Sequence, residues 1–285
     1  MINNISPPPR QDKELTGHTW QEWFRQIWSA IQNMNNYDLN AIGAGVIPGK
    51  TPVNIYGRNS DVDNTVECVW MGPAGLGGPY VFPATPIRMQ VVSTDNTQDT
   101  AGGTGARSVK INYLDTNFLE QEETINLNGT TAVPTVATNI LRVNAFYVVV
   151  AGTGKVPLGN LSLQSVGGAT TYAYIIAGYN NSTKAVYTVP ANKSLYITSW
   201  HVSAGAATLG HFTQFNILSN ATLNGVKNDS IYLVHSALCL TDAAIETRAE
   251  IPFKIPATCD IYITAVSDAA GANVIATTNV QGWIE

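Results

Sequence analysis

The feature that most limits what this chain can become is the text after about residue 50. Short apolar runs alternate with polar neighbours, and each is closed by Gly, Asn, Asp or Pro, with no long amphipathic stretch between them. Val109, Ile111 and Tyr113 alternate, Asp115-Thr-Asn interrupts, and ETINLN at residues 123–128 alternates back, which predicts a hairpin; Asn128-Gly129 supplies the next turn. Further strands are expected at 140–150, 156–163, 172–177, 185–189, 195–202, 212–218, 231–240, 245–253, 260–266 and 274–283. Many short strands with turn signals at this spacing predict an all-β fold of two sandwich or jelly-roll-like domains. The Gly167-Gly168 dipeptide is the expected boundary, giving a first domain at 37–166 and a second at 167–285. No short-period repeat occurs, which disfavours a propeller or a β-helix.

Composition narrows the function. Only 12% of residues are charged, so Thr, Asn and Gly must cover the surface, a palette that suits strands and turns. A net charge of -5 gives no basic footprint, and nucleic acid is not an expected partner. No apolar run is long enough to insert in a membrane, and the N-terminus MINNISPPPR lacks the pattern of a signal peptide. Cys68, Cys239 and Cys259 are odd in number and form no CxxC pair, so they are expected as small buried hydrophobes.

Residues 1–36 differ from the rest. Pro7, Pro8 and Pro9 favour an extended arm. Thr19 with Glu22 reads as a capping box, after which Trp20, Phe24, Ile27, Ile31 and Met34 recur at helical spacing, flanked by Trp23 and Trp28. A helix this short does not stand alone in water. It must dock on its own β domain, self-associate or bind another protein. Ile27 and Ile31 on the seam suit three strands rather than two, so the expected state is a homotrimer. The expected contact residues of this anchor are Pro7, Pro8, Pro9, Trp20, Trp23, Phe24, Ile27, Trp28 and Ile31.

Catalytic frames are not written in the sequence. His18, His201, His211 and His235 have no metal-ligand spacing, no GxSxG elbow occurs, and Gly152-Thr-Gly-Lys155 reads as a turn rather than a phosphate loop. Asp61 and Asp63, Asp95 and Asp99, and Glu120, Glu122 and Glu123 cluster, yet nothing in their spacing marks a glycosidase pair. Asp61-Val-Asp63-Asn64 lacks the glycine and closing glutamate of an EF-hand. No catalytic residue, metal or cofactor is therefore expected. Tyr179, Asn180, Asn181 and His211 stand near predicted turns, where rings and amides suit sugar faces and hydroxyls, and they are the candidate glycan contacts.

Three stretches carry a family resemblance. DTAGGTGAR at residues 99–107, followed by residues 109–115 and 123–130, resembles a domain of virion structural proteins of tailed bacteriophages. Residues 185–190 and 195–200 look like a strand pair from a second domain of the same group, and Pro7–Pro9 with Trp20, Trp23, Phe24 and Trp28 is similar to N-terminal anchors of phage fibres. The resemblance implies a non-enzymatic virion protein made in the host cytoplasm. It would be a homotrimeric tail fibre or fibre adaptor, attached through residues 1–36 to a tail adaptor or nozzle protein and contributing to host attachment. A capsid decoration or head-fibre protein and a carbohydrate-binding module are the alternatives.

Overall fold

The computed structural model describes residues 18–73, 80–205, 210–222, 226–268, 270 and 273–285; side chains are described from Trp20 onward, except at 30–38. Two units divide the chain, residues 1–52 with 285 and residues 53–284.

In the first unit, α1 spans His18–Gly43. It runs past the expected end of the anchor at residue 36, because the polar Asn35-Asn36 pair does not stop an apolar recurrence that resumes at Ala41, seven residues beyond Met34. At about 1.5 Å per residue it is about 39 Å long rather than the single short anchor expected. Thr19 is its second residue and so is not the flanking N-cap. The helix stops in a Schellman arrangement: the Val46 N–H donates to Ala41 C=O, the Gly45 N–H donates to Ile42 C=O, and Gly45 takes the left-handed conformation (φ 70°) that glycine adopts without a Cβ penalty.

The second unit is all β, in two sandwiches. One joins two sheets. The first has the order β1 (Thr51–Val62), β16 (Val274–Ile284), β11 (Leu195–Gly205), β14 (Ala243–Ile255). The second has the order β10 (Val186–Thr188), β15 (Asp260–Ser267), β12 (Phe212–Ala221), β13 (Lys227–Leu240), with β2 (Glu67–Cys68) also paired to β15. Its core includes Trp200, Phe215, Ile217, Ile261 and Ile263. The other sandwich is inserted between β2 and β10. It stacks β6 (Val133–Pro134), β3 (Met89–Ser93), β8 (Leu161–Ser165), β9 (Thr171–Ile175) over β5 (Glu120–Asn126), β4 (Ala106–Leu114), β7 (Arg142–Ala151), around Met89, Ile111, Phe146 and Leu163.

The predicted hairpin is β4–β5, with Val109 opposite Ile125. The predicted boundary is corrected. Gly167 (φ 91°) and Gly168 (φ 78°) form the turn between β8 and β9, which pair with Leu161 opposite Ile175 and share one core. A glycine pair supplies positive φ to a hairpin turn as readily as to a linker, and only pairing distinguishes the two. The outer sandwich is thus assembled from both ends of the strand-rich sequence, not from residues 167–285 alone.

A polar and aromatic seam fastens β7 of the inserted sandwich to β10 and β15 of the outer one. Arg142 forks onto Asp260, Nε to Oδ1 at 2.8 Å and Nη2 to Oδ2 at 3.0 Å, while its Nη1 donates to Pro83 C=O and Leu141 C=O. Thr188 Oγ1 also donates to Asp260. The Asn144 amide both donates to Thr188 C=O and accepts from Thr188 N–H, copying one rung of a β-ladder. Beside them, edge-on contacts run from Trp70 to Tyr80 (5.5 Å) to Phe82 (4.9 Å), and Arg142 lies over Phe82 at 4.7 Å. Lys184 is buried here, with Nζ donating to Val143 C=O and to Tyr80 Oη. Burial holds its ammonium at about 7, far below the usual 10.5, and raises the Tyr80 phenol.

Asp99 ties the loops at one end of the inserted sandwich. Fully buried, its carboxylate accepts from Ser93 Oγ (2.7 Å) and from the N–H groups of Ala106 (2.8 Å), Leu158 (3.0 Å) and Gly159 (2.8 Å). Asp99→Ala leaves the Ser93, Ala106 and Gly159 donors buried and unpaired, so urea unfolding should show a loss of about 3–4 kcal/mol.

Lys184 predicts a pH dependence. Between about pH 7 and the ordinary lysine value, the unfolded chain holds a proton that the folded chain lacks, so stability rises with pH through that window. From about pH 6.5 to about pH 8.5, the intact protein should gain roughly 2 kcal/mol relative to Lys184→Met in chemical denaturation. Parallel curves for the two proteins would contradict a buried neutral amine.

Candidate attachment and binding surfaces

On α1, residues three and four apart meet, and the anchor residues are aromatic at those spacings. Trp20 and Trp23 are edge to face at 5.5 Å, Trp23 and Phe24 at 5.3 Å, and Trp20 and Phe24 are tilted at 5.9 Å. The three rings form one cluster within a little over one turn. Phe24 nevertheless remains 50% exposed, and Trp28, four residues further along the same face, is 63% exposed, with Ile27 half-buried. Pro7, Pro8, Pro9 and the side chain of Ile31 lie outside the described residues, as does the side chain of His18.

The four candidate glycan residues do not form one group. Tyr179, Asn180 and Asn181 follow β9 and run beside β7: Val148 N–H donates to Asn180 C=O, Asn181 bridges Tyr147, and Asn180 Nδ2 donates to Lys155 C=O at 2.9 Å. This places them on the inserted sandwich, with the Tyr179 ring 49% exposed. His211 precedes β12 in the outer sandwich, where its Nδ1 meets Asp268 Oδ1 at 3.1 Å and its C=O accepts from Thr241. All four fall within the domain expected at 167–285, and the structure divides them between two sandwiches, which corrects that grouping. Sequence proximity to turns did not show that these turns serve different sandwiches.

Several of the other titratable groups are engaged by the architecture. Asp63 accepts from Thr65 N–H and Oγ1, and Asp95 from Thr97 N–H and Gln98 N–H; these hydrogen bonds hold both carboxyls below the usual range. Glu120 pairs with Lys193 and Glu122 with Lys110, and Glu123 accepts from the N–H groups of Val136 and Ala137. Lys155, with φ 62°, sits in a turn closed back onto Gly152 C=O. His235 lies between the Trp200 and Phe253 rings. The three cysteines are buried and free; burial raises the Cys68 and Cys259 thiols to about 11, which removes nucleophilic thiolate at neutral pH. No cluster of three or more metal-ligating side chains occurs among the described residues.

Sequence reasoning missed Lys184, Arg142 and Asp260. Their partners lie 41 and 118 residues away, and no local pattern marks such a pairing. It also missed β1, whose TPVNIYGRNSDV alternates only in part.

No protein-family model matches the chain, and no curated protein matches it. Among solved structures, the chain aligns with that of the infectious bursal disease virus Gt strain at 11% identity and a TM-score of 0.22, over 84% of this chain and 73% of that one. The Gx strain structure aligns at 13% identity and a TM-score of 0.21, over 81% and 71%. The VP2 subviral particle of the same virus aligns at 12% identity and a TM-score of 0.19, over 82% and 72%. These are loose superpositions, and nothing about the role of this protein rests on them.

Proposed function

We propose that this chain is a non-enzymatic structural protein of a bacteriophage virion. In this reading it is a homotrimeric tail fibre or fibre adaptor, joined to the tail through its N-terminal arm and helix and contributing to host attachment. The observation that carries the reading is the aromatic face of α1, on which Phe24 and Trp28 stay half or more exposed beside a packed ring cluster. Exposed large aromatics at helical spacing are the chemistry of a helix that seats in an apolar groove on another protein. The resemblance of residues 99–107, 109–115 and 123–130, and of 185–190 and 195–200, to phage virion domains supports the same reading. So does the engagement of Asp63, Asp95, Asp99 and Glu123 as acceptors of backbone N–H groups, a structural use of these carboxylates.

Phe24→Asp combined with Trp28→Asp tests it. Both side chains are exposed, so the thermal unfolding midpoint should stay within a few degrees of the parent, while incorporation into particles should fall by at least tenfold. Incorporation at the parental level, measured by quantitative mass spectrometry of purified virions, would rule out the helix as the anchor.

A further inference from the structure

We infer that the outward face of β11, β14 and β16 in the outer sandwich is an oligosaccharide-binding surface, built around Tyr196, Trp283 and His201. This deepens the host-attachment part of the reading above by assigning a site and a ligand class, and it rests on that reading.

Strand register places these residues on one surface. Along β11, Ile197, Trp200 and Val202 belong to the core, so Tyr196, Ser199 and His201 point the other way. Residues directly opposite each other in an antiparallel ladder share a face. Tyr196 therefore stands in a row with Lys254 of β14 and Trp283 of β16, and His201 in a parallel row with Glu246 and Asn279. Ser199 lies between them, opposite Arg248 and Gln281. On the β14 edge alone, the ladder is interrupted between the first two rows by a bulge at residues 249–252.

The first row is aromatic where the solvated face of an antiparallel sheet ordinarily carries polar side chains. The Tyr196 and Trp283 rings stack at 5.2 Å with planes 10° apart, and Lys254 Nζ lies 5.7 Å from the centre of the Tyr196 ring. Both rings are partly exposed and are rooted in adjacent strands, so they form a fixed apolar wall at one end of the face. Rigid tyrosine and tryptophan rings supply contact area at low entropic cost, and they suit the C–H faces of sugars.

The rows beyond the wall present hydrogen-bonding groups. Gln281 is exposed and its Oε1 accepts from Ser199 Oγ at 3.3 Å; His201 is exposed beside it. Asn279 Oδ1 is shielded from water and has no hydrogen-bond donor, so this face keeps an acceptor that the fold itself does not use.

Chemistry selects the occupant. These three rows contain no leucine, isoleucine, valine or methionine, and so lack the apolar centre of a protein–protein contact. Glu246 offsets Arg248 through a 2.8 Å ion pair, which leaves Lys254 as the single uncompensated charge of the rows, too little to hold a phosphate backbone. An oligosaccharide, with apolar ring faces and many hydroxyls, matches an aromatic wall followed by amide, imidazole and hydroxyl groups.

The experiment screens full-length protein against an array of bacterial surface oligosaccharides, O-antigen and capsular fragments, and measures affinity for the strongest array ligand by calorimetry. The parent should bind. Tyr196→Ala with Trp283→Ala should weaken binding at least tenfold, and His201→Ala with Gln281→Ala at least about fivefold, both with unchanged circular dichroism. Tyr179→Ala and Phe24→Asp with Trp28→Asp should stay within about twofold of the parent. A parent that binds no array ligand, or parental affinity in the folded Tyr196/Trp283 variant, would overturn the site. If that variant is unfolded, the exposed His201/Gln281 pair decides by the same outcome. Failure of the virion reading is seen separately: a protein that binds the array but is absent from purified particles refutes that reading and leaves the site standing, whereas a virion component that binds no glycan refutes the site alone.

Discussion

The fork of Arg142 onto Asp260 is the contact on which the arrangement of the strand-rich unit depends. A domain inserted into a loop of another is held covalently by two chain crossings, which leave its orientation free. Apolar contacts such as Trp70 on Tyr80 add adhesion but little direction. A planar guanidinium meeting a carboxylate through two parallel hydrogen bonds permits one geometry. Burying such a pair is costly unless every remaining donor and acceptor is satisfied. Here Pro83 and Leu141 carbonyls, Thr188 Oγ1 and the Phe82 ring complete both partners. The Asn144 amide then extends the joint along β7, and Lys184 closes it with a buried amine whose charged form burial disfavours.

This economy extends to the rest of the polar inventory. A chain with few charged residues spends its carboxylates on structure: Asp99 gathers loops, Asp63 and Asp95 cap turns, and Glu123 receives two backbone donors. Little charge remains to keep the surface wet. Two apolar features therefore stand out, the exposed Phe24 and Trp28 of α1 and the exposed Ile231, Leu233, Leu238 and Leu240 of β13. For a free monomer both would be liabilities, since exposed apolar area favours association.

Much of the local structure was legible before any coordinates. The β4–β5 hairpin, and strands β11, β12 and β15, follow from period-two alternation and from turn residues whose conformational preferences are intrinsic. Helix α1 followed from the recurrence at Trp20, Phe24 and Ile27, although its extension to Gly43 was hidden by the polar run around Asn35 and Asn36. The cysteines were read correctly as buried, because small sulfhydryl residues outside any ligand spacing favour the core.

The all-β character, the positions of most strands and the aromatic helix all arise from interactions within a few residues along the chain, and its local pattern records them. Which strands share a sandwich, the hairpin turn at Gly167 and Gly168 and the separation of Tyr179 from His211 emerge only once the chain is folded. Folding also places Lys184 against Val143 and Arg142 against Asp260. The physical reason is that propensity and periodicity are local, whereas sheet order and buried polar pairing depend on groups brought together from far along the chain. No nearest-neighbour pattern records that pairing.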